Sequence, residues 1–225
     1  MVDSSAPTSP VTATDLAEEL AARRRKDPVG NALLEAAADG RLSFESFRRL
    51  VGTEAQAHTA ELAAYGTVLA RFPRRPAADL PLRLARLVYD AQPKLQECAR
   101  ALGITDVHGQ RRPAERTTYA FNGTLSWLAV QGSQAAFALS SYTDMQVYFP
   151  GCAELVRLVR ETGTDVPREF LDYYEDEAPE ELTRLALEVV QDGLDRGDDP
   201  QDAMFCARLL EESIGDFWRS AAGPV

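Results

Sequence analysis

Glu54 and His58 lie four residues apart in a stretch whose other regularly spaced residues are apolar. At 100° per residue, Phe47, Leu50, Val51, Leu62, Tyr65, Val68, Leu69 and Phe72 share one helical face, and Glu54, His58 and Glu61 fall among them. A carboxylate and an imidazole left unpaired in an apolar core cost on the order of several kcal/mol. These groups are therefore expected to face each other, another polar partner, or a cavity that holds a small molecule. The same Glu-x-x-x-His spacing suits two metal ligands, or an acid/base couple, on one face of a helix.

Further ligands for a metal are scarce. The one other histidine, His108, lies in a polar, glycine-containing loop, and the paired Glu-x-x-His motifs of a two-metal carboxylate site are not present. Iron or another metal would have to be held mostly by carboxylates such as Asp90, Glu97, Glu181 or Glu211. The chain has no Gly-x-Ser-x-Gly elbow, no histidine close in sequence to Cys98, Cys152 or Cys206, and no glycine-rich phosphate loop. A second polar seam runs through the central helical stretch, where Tyr119, Asn122, Ser126, Ser133, Gln134, Ser140, Ser141 and Tyr142 punctuate apolar residues. Tyr173 and Tyr174 read as amphipathic packing, and Glu211 is the acid of the last helix placed to look into a pocket. Several such seams in a small bundle favour a polar-lined cavity over a dry core.

The elements that must position these residues are helical throughout, with no run of alternating β-branched residues. Helices are predicted over about 15–26, from an Asp27-Pro28 start to Gly40, from Ser43 to about Arg71, and from Leu82 to Leu102 with a bend at Pro93. A long apolar helix is predicted from Arg116 to Tyr148, broken by Pro150-Gly151, followed by a short helix to Glu161. Pro167, Pro179 and Pro200 then open three more, the last ending near Ser220. The expected fold is an all-α bundle of about eight helices, a single domain over 14–225 preceded by a disordered tail over 1–13.

The tail has no hydrophobic run of a signal peptide, and no segment has the apolar length of a membrane span, so a cytoplasmic protein is expected. Three cysteines without a Cys-x-x-Cys pair point to reduced, structural thiols. The net charge of −11 is concentrated in residues 161–202, where fifteen acids face three arginines. Such a surface repels phosphates, which excludes nucleic acid as a partner and reads mostly as a solvated acidic face.

The order of segments resembles the haem-oxygenase-like superfamily, in particular its thiaminase II (TenA) and PqqC branches. The residues that carry the resemblance are the run from Asn31 through Asp39-Gly40-Arg41-Leu42 to Phe47, Ala101 to Ile104, Pro113 to Tyr119, Phe170 to Tyr174, and Phe217-Trp218. The resemblance places Glu54 where thiaminase II binds the aminopyrimidine, with Tyr119 and Tyr174 near its pocket tyrosines. The nucleophilic cysteine, four residues before a tyrosine, falls on Ala138 before Tyr142, or on Ser140 in a shifted alignment. The acid four residues before Trp218 falls on Ile214, with Glu211 one turn earlier. The iron-binding His-x-x-x-Asp-x-x-His pattern of other relatives falls on Tyr174, Ala178 and Glu181, and no histidine stands near Asn31 to bind haem.

A member of that superfamily without its cysteine and iron ligands is thus expected. The reading is a metal-independent, cofactor-free enzyme acting on a small heteroaromatic or amine-bearing metabolite by acid/base chemistry. Glu54 and His58 are its catalytic pair, and Tyr119, Ser140, Tyr142, Tyr174 and Glu211 bind substrate. The alternatives are a divergent non-haem iron oxidase and a catalytically silent binding protein. The resemblance also implies a homodimer or homotetramer.

Overall fold

The structure, a computed structural model, describes residues 10–223. Nine α-helices form among them: α1 (Ala13–Lys26), α2 (Ala32–Ala38), α3 (Phe44–Arg71), α4 (Asp79–Ala101), α5 (Ala120–Gln131), α6 (Gln134–Thr162), α7 (Arg168–Tyr174), α8 (Glu180–Asp195) and α9 (Pro200–Ala222). A single 3-10 turn, Arg116–Tyr119, leads into α5. The described residues contain no β-strand.

Side-chain caps set most of the helix starts. Thr12 and Asp15 form a reciprocal capping box on α1, so the helix begins two residues before the predicted start, and residues 1–9 of the expected tail lie outside the described residues. Ser43 caps α3 through the Ser46 amide, as its position predicts. Asp27 ends α1 instead of starting α2. The next cap is Asn31, whose side chain accepts from the Leu34 amide, so α2 is only seven residues long.

The central stretch departs furthest from expectation. The break falls at Gly132-Ser133 and not at Pro150-Gly151: Gly132 is extended (φ −63°, ψ 148°), and the Ser133 hydroxyl accepts from the Ala136 amide to start α6. Pro150 lies inside α6. Proline removes one backbone bond and crowds the preceding turn, yet α6 is held on both sides of it by buried Met145 and by buried Cys152, Leu155 and Val159. Ser133→Ala should cost about 1 kcal/mol, seen as a lower urea midpoint with an unchanged slope.

Buried side chains from all nine helices belong to one hydrophobic cluster. Within it α3 packs against α4, α5 and α9, and α6 against α8 and α9, while α7 bridges α4 and α6. The middle of α3 therefore faces the middle of α6 across the interior, with α7 and α4 closing one side. The Trp218 ring of α9 stacks on Tyr148 of α6, with centroids 5.8 Å apart, and Phe217 meets Tyr148 edge-on.

Candidate active site: a polar cavity between α3, α4, α6 and α7

Along α3 the inward face changes character. Phe47, Leu50 and Val51 are fully buried at one end and Val68 at the other, but for three turns the inward positions are Glu54, His58, Glu61 and Tyr65. The i, i+4, i+7, i+11 spacing keeps all four on one side of the helix. On α6 the matching positions are Asp144, Tyr148 and Cys152, again four residues apart. The aromatic pair of α7, Tyr173 and Tyr174, and the apolar Leu84, Leu87, Val88 and Ala91 of α4 complete the walls. The cavity so enclosed has a volume of about 410 Å³, within the usual range for a small-molecule site.

At its centre three groups form a triangle. His58 Nε2 lies 3.0 Å from the Tyr173 hydroxyl and 3.5 Å from Glu54 Oε1, and the same hydroxyl lies 3.4 Å from Glu54 Oε1. With a proton on Nε2, His58 donates to Tyr173 and the hydroxyl donates on to Glu54, an assignment made from the network geometry. Glu54 and His58 are 5% and 4% exposed. Glu54 Oε2, His58 Nδ1 and the Tyr174 hydroxyl are buried without a partner among the described residues. Buried polar atoms are rarely left so, and each of the three residues lines the cavity.

The electrostatics are those of a crowded acidic chamber. Six carboxylates (Glu54, Glu61, Asp90, Asp144, Asp176 and Glu177) line it against Lys94 and His58. Asp90, Lys94, Asp176 and Glu177 are exposed, the last two as expected for much of the acidic stretch, and Lys94 pairs with Asp176 at 3.1 Å. Burial lowers the basicity of His58, but the hydrogen bond and charge of Glu54 and the charge of Glu61 outweigh it, and the net shift is upward. Burial, then the charges of Glu61 and Glu54, push Asp144 well above the carboxylate range. Burial raises the phenols of Tyr173 and Tyr174 as well, so both hydroxyls remain proton donors. Cys152 is raised by burial and the Glu54 charge, which leaves a neutral thiol and no nucleophile.

Glu61 is pushed up to about 7 from 4.5, mainly by burial, despite the opposing charge of His58 and a 3.2 Å hydrogen bond from Tyr65. A carboxyl that binds its proton more tightly when folded stabilises the fold below the unfolded pKa, and that gain is lost as pH rises through the folded value. Stability should thus fall between about pH 4.5 and 7, by up to about 3 kcal/mol at about 1.4 kcal/mol per pKa unit. Asp144 and His58, both raised, add losses of the same sign. Glu61→Gln should flatten this decline in urea titrations at pH 5 and 8; an unchanged decline would show that Glu61 is not the group responsible.

Of the residues singled out from the sequence, Glu54, His58 and Tyr174 meet in the cavity. Tyr119 sits in the 3-10 turn, where its hydroxyl accepts from the Arg112 amide at 3.0 Å, and it does not line the cavity. Ser140 is buried with an unpartnered hydroxyl, and Tyr142 is half-buried on α6; neither belongs to the lining. Glu211 is wholly buried but turned toward α1, where Arg24 binds Oε1 at 2.6 Å and Arg208 binds Oε2 at 3.0 Å. The sequence marked Glu61 as a polar interruption of the apolar face without naming it a site residue and Tyr173 as packing, and gave no role to Asp144 or Tyr148. One signal was available for these two: Asp144-x-x-x-Tyr148 has the spacing sought for cysteine and tyrosine, displaced along α6 from the expected Ala138 and Tyr142.

Among the described residues no group of three or more His, Cys, Asp and Glu side chains is placed to hold a metal ion. Nor is any helix of the described residues long and apolar enough to cross a membrane.

No family model matches the chain, and no curated protein matches it. Among solved structures it is similar to the X-ray structure of a TenA homologue from Pyrococcus furiosus, with a TM-score of 0.68 over 92% of this chain and 99% of that one, at 15% identity. At that identity the likeness shows the fold: all-α and haem-oxygenase-like.

Proposed function

We propose that the chain is a metal-independent, TenA- or PqqC-like enzyme that transforms a small heteroaromatic or amine-bearing metabolite by acid/base chemistry in the central cavity. The observation that carries this reading is the His58–Tyr173–Glu54 triangle, buried yet open to a cavity through an unpartnered Glu54 oxygen. Glu54 Oε2 is the acceptor for a substrate N–H, and Oε1 receives the proton relay from His58 through Tyr173. The upward shift of His58 lets it carry that proton near neutral pH. The Tyr174 hydroxyl is a neutral donor that orients the substrate. Asp144, whose carboxyl is raised well above the usual range by burial and the neighbouring acids, supports proton transfer over covalent attack.

A cytoplasmic location, a single domain over 14–225 and an assembly of two or four copies belong to the same reading. A crystal structure of protein taken directly from cells tests it. The expected result is a small molecule in the cavity with a polar atom within hydrogen-bond distance of Glu54 Oε2. A metal ion coordinated by Glu54, or a ligand that leaves Glu54 untouched, would overturn it.

A further inference from the structure

Behind the main cavity lies a recess of about 30 Å³ whose lining includes Glu54, Glu61 and Asp144. Its remaining walls are Phe121, Tyr148 and Phe217 with the aliphatic Ala57 and Ile214, and no lysine or arginine reaches it. Asp144 makes no hydrogen bond or ion pair among the described residues, and Glu61 accepts one bond, from Tyr65. Glu54 adds an independent mark of a missing ligand, because its Oε2 is buried and unpartnered on a side chain only 7% exposed that lines both spaces. Three acids converging on so small a space repel one another, and the lining of the recess holds no cation; His58, outside it, offsets only part of that repulsion.

The size and chemistry of the recess select its occupant. A space of about 30 Å³ exceeds the ~10–15 Å³ that one water molecule needs, and leaves room for a single small group such as an ammonium. An –NH3⁺ carries three donors, one for each acid, and is attracted to the faces of aromatic rings such as those of Phe121, Tyr148 and Phe217. A hard divalent metal, by contrast, wants six or more oxygen ligands, and five of the eight lining residues are aromatic or aliphatic. The wall beyond the recess, with Leu84, Val88, Met145 and Phe149, suits an apolar body.

We propose that the recess is an ammonium subsite, so that the cavity takes a primary amine whose –NH3⁺ seats among Glu54, Glu61 and Asp144 while its apolar body lies along α4 and α6. This rests on the reading of the cavity as the site of a small metabolite, and it narrows that metabolite from a neutral heteroaromatic ring to an alkyl or arylalkyl ammonium. The acids then have a second role beyond proton transfer: they fix the orientation of the ligand by its charged end.

Calorimetry and thermal shift on the full chain at pH 8, with butylamine and benzylamine against 1-butanol, benzyl alcohol and butyrate, test the proposal. Both amines should bind and raise Tm, whereas the alcohols and the carboxylate of matching shape should bind at least tenfold more weakly. Asp144→Asn and Glu61→Gln should each weaken amine binding at least tenfold while keeping or raising the Tm of the free protein, since each removes a like charge. Equal binding of amines and alcohols, or undiminished amine binding by both variants, would overturn the subsite. So would stabilisation by magnesium or manganese chloride with none by amines. Where amines fail but a neutral compound occupies the cavity against Glu54, only the subsite is lost; where no small compound occupies the cavity at all, the proposed function falls with it.

Discussion

Glu54→Gln is expected to lower turnover of the substrate by about 10²- to 10⁴-fold, the usual contribution of a positioned acid or base, with stability changed by less than about 1 kcal/mol. The side chain is 5% exposed and keeps its shape in the variant, so no cavity opens. Two things change chemically. Oε1, which accepts from Tyr173 and lies 3.5 Å from His58 Nε2, loses its negative charge, and Oε2, the free acceptor, is replaced by an amide group. The basicity of His58 then falls, because the Glu54 hydrogen bond and charge are the largest influences holding it up against burial. The pH optimum should therefore move to lower pH in whatever activity remains. Tyr173→Phe, which breaks the link between the two without touching either charge, should give a smaller loss. His58→Gln combined with Glu54→Gln should cost little more than Glu54→Gln alone, since the two act as one unit.

Glu211→Ala should produce the largest loss of stability, about 3 kcal/mol, with activity per folded molecule unchanged. Glu211 is fully buried, and both its oxygens are occupied: Oε1 by Arg24 and the Thr143 hydroxyl, Oε2 by Arg208. Arg24 also donates to Thr143 at 2.8 Å, so α1, α6 and α9 meet at one carboxylate. Removing one partner of a buried ion pair costs about 3–5 kcal/mol. The lower end applies because Arg24 and Arg208 remain 23% and 19% exposed and can turn their charge to water. For a chain of this length the change amounts to a Tm lower by about 10 °C. Differential scanning calorimetry checks it, and a drop of only a degree or two would mean that the network adds nothing to the fold. The contrast with Glu54 is instructive. Both are buried glutamates on long helices, but one has every acceptor used and the other has an oxygen in waiting.

That contrast also explains what could be read from the sequence. Caps and breakers are local, so the starts at Ser43 and Pro200 and the end at Arg71 were legible. The misplaced break in the central stretch was a competition between two local signals: Gly132 before a capping Ser133 won over Pro150, which tertiary packing on both sides retained in the helix. The Glu54–His58 pair announced itself because polar residues interrupted an apolar stripe within one helix. Asp144 interrupted a stripe as well, but α6 carries so many small polar residues that one carboxylate did not stand out. Tyr173 was legible only as packing, since its role depends on α7 folding back onto α3, a contact between residues 115 positions apart. Glu211 was read correctly as inward and wrongly as pocket-facing. Helical position fixes how deep a side chain lies, whereas its partners Arg24 and Thr143 come from distant elements.

The acidic lining gives the site its character. In a low-dielectric chamber, carboxylates of raised pKa can exchange protons near neutral pH, and a charged amine entering among them adds to the counter-charge that His58 supplies only in part. The same crowding explains why stability should decline as the solution becomes basic: the fold tolerates these acids best when they are protonated. A site of this kind is stabilised by its own ligand, as expected for a pocket built to bind and not for a core built to pack.

The most direct measurement incubates equal amounts of the wild-type chain and Glu54→Gln with a small-molecule extract of the source cells, and compares the two by mass spectrometry. The account predicts at least one amine-bearing compound that is consumed by the wild type, with a matching product, and left intact by Glu54→Gln. Identical compound profiles from the two proteins, or equal consumption by both, would contradict it.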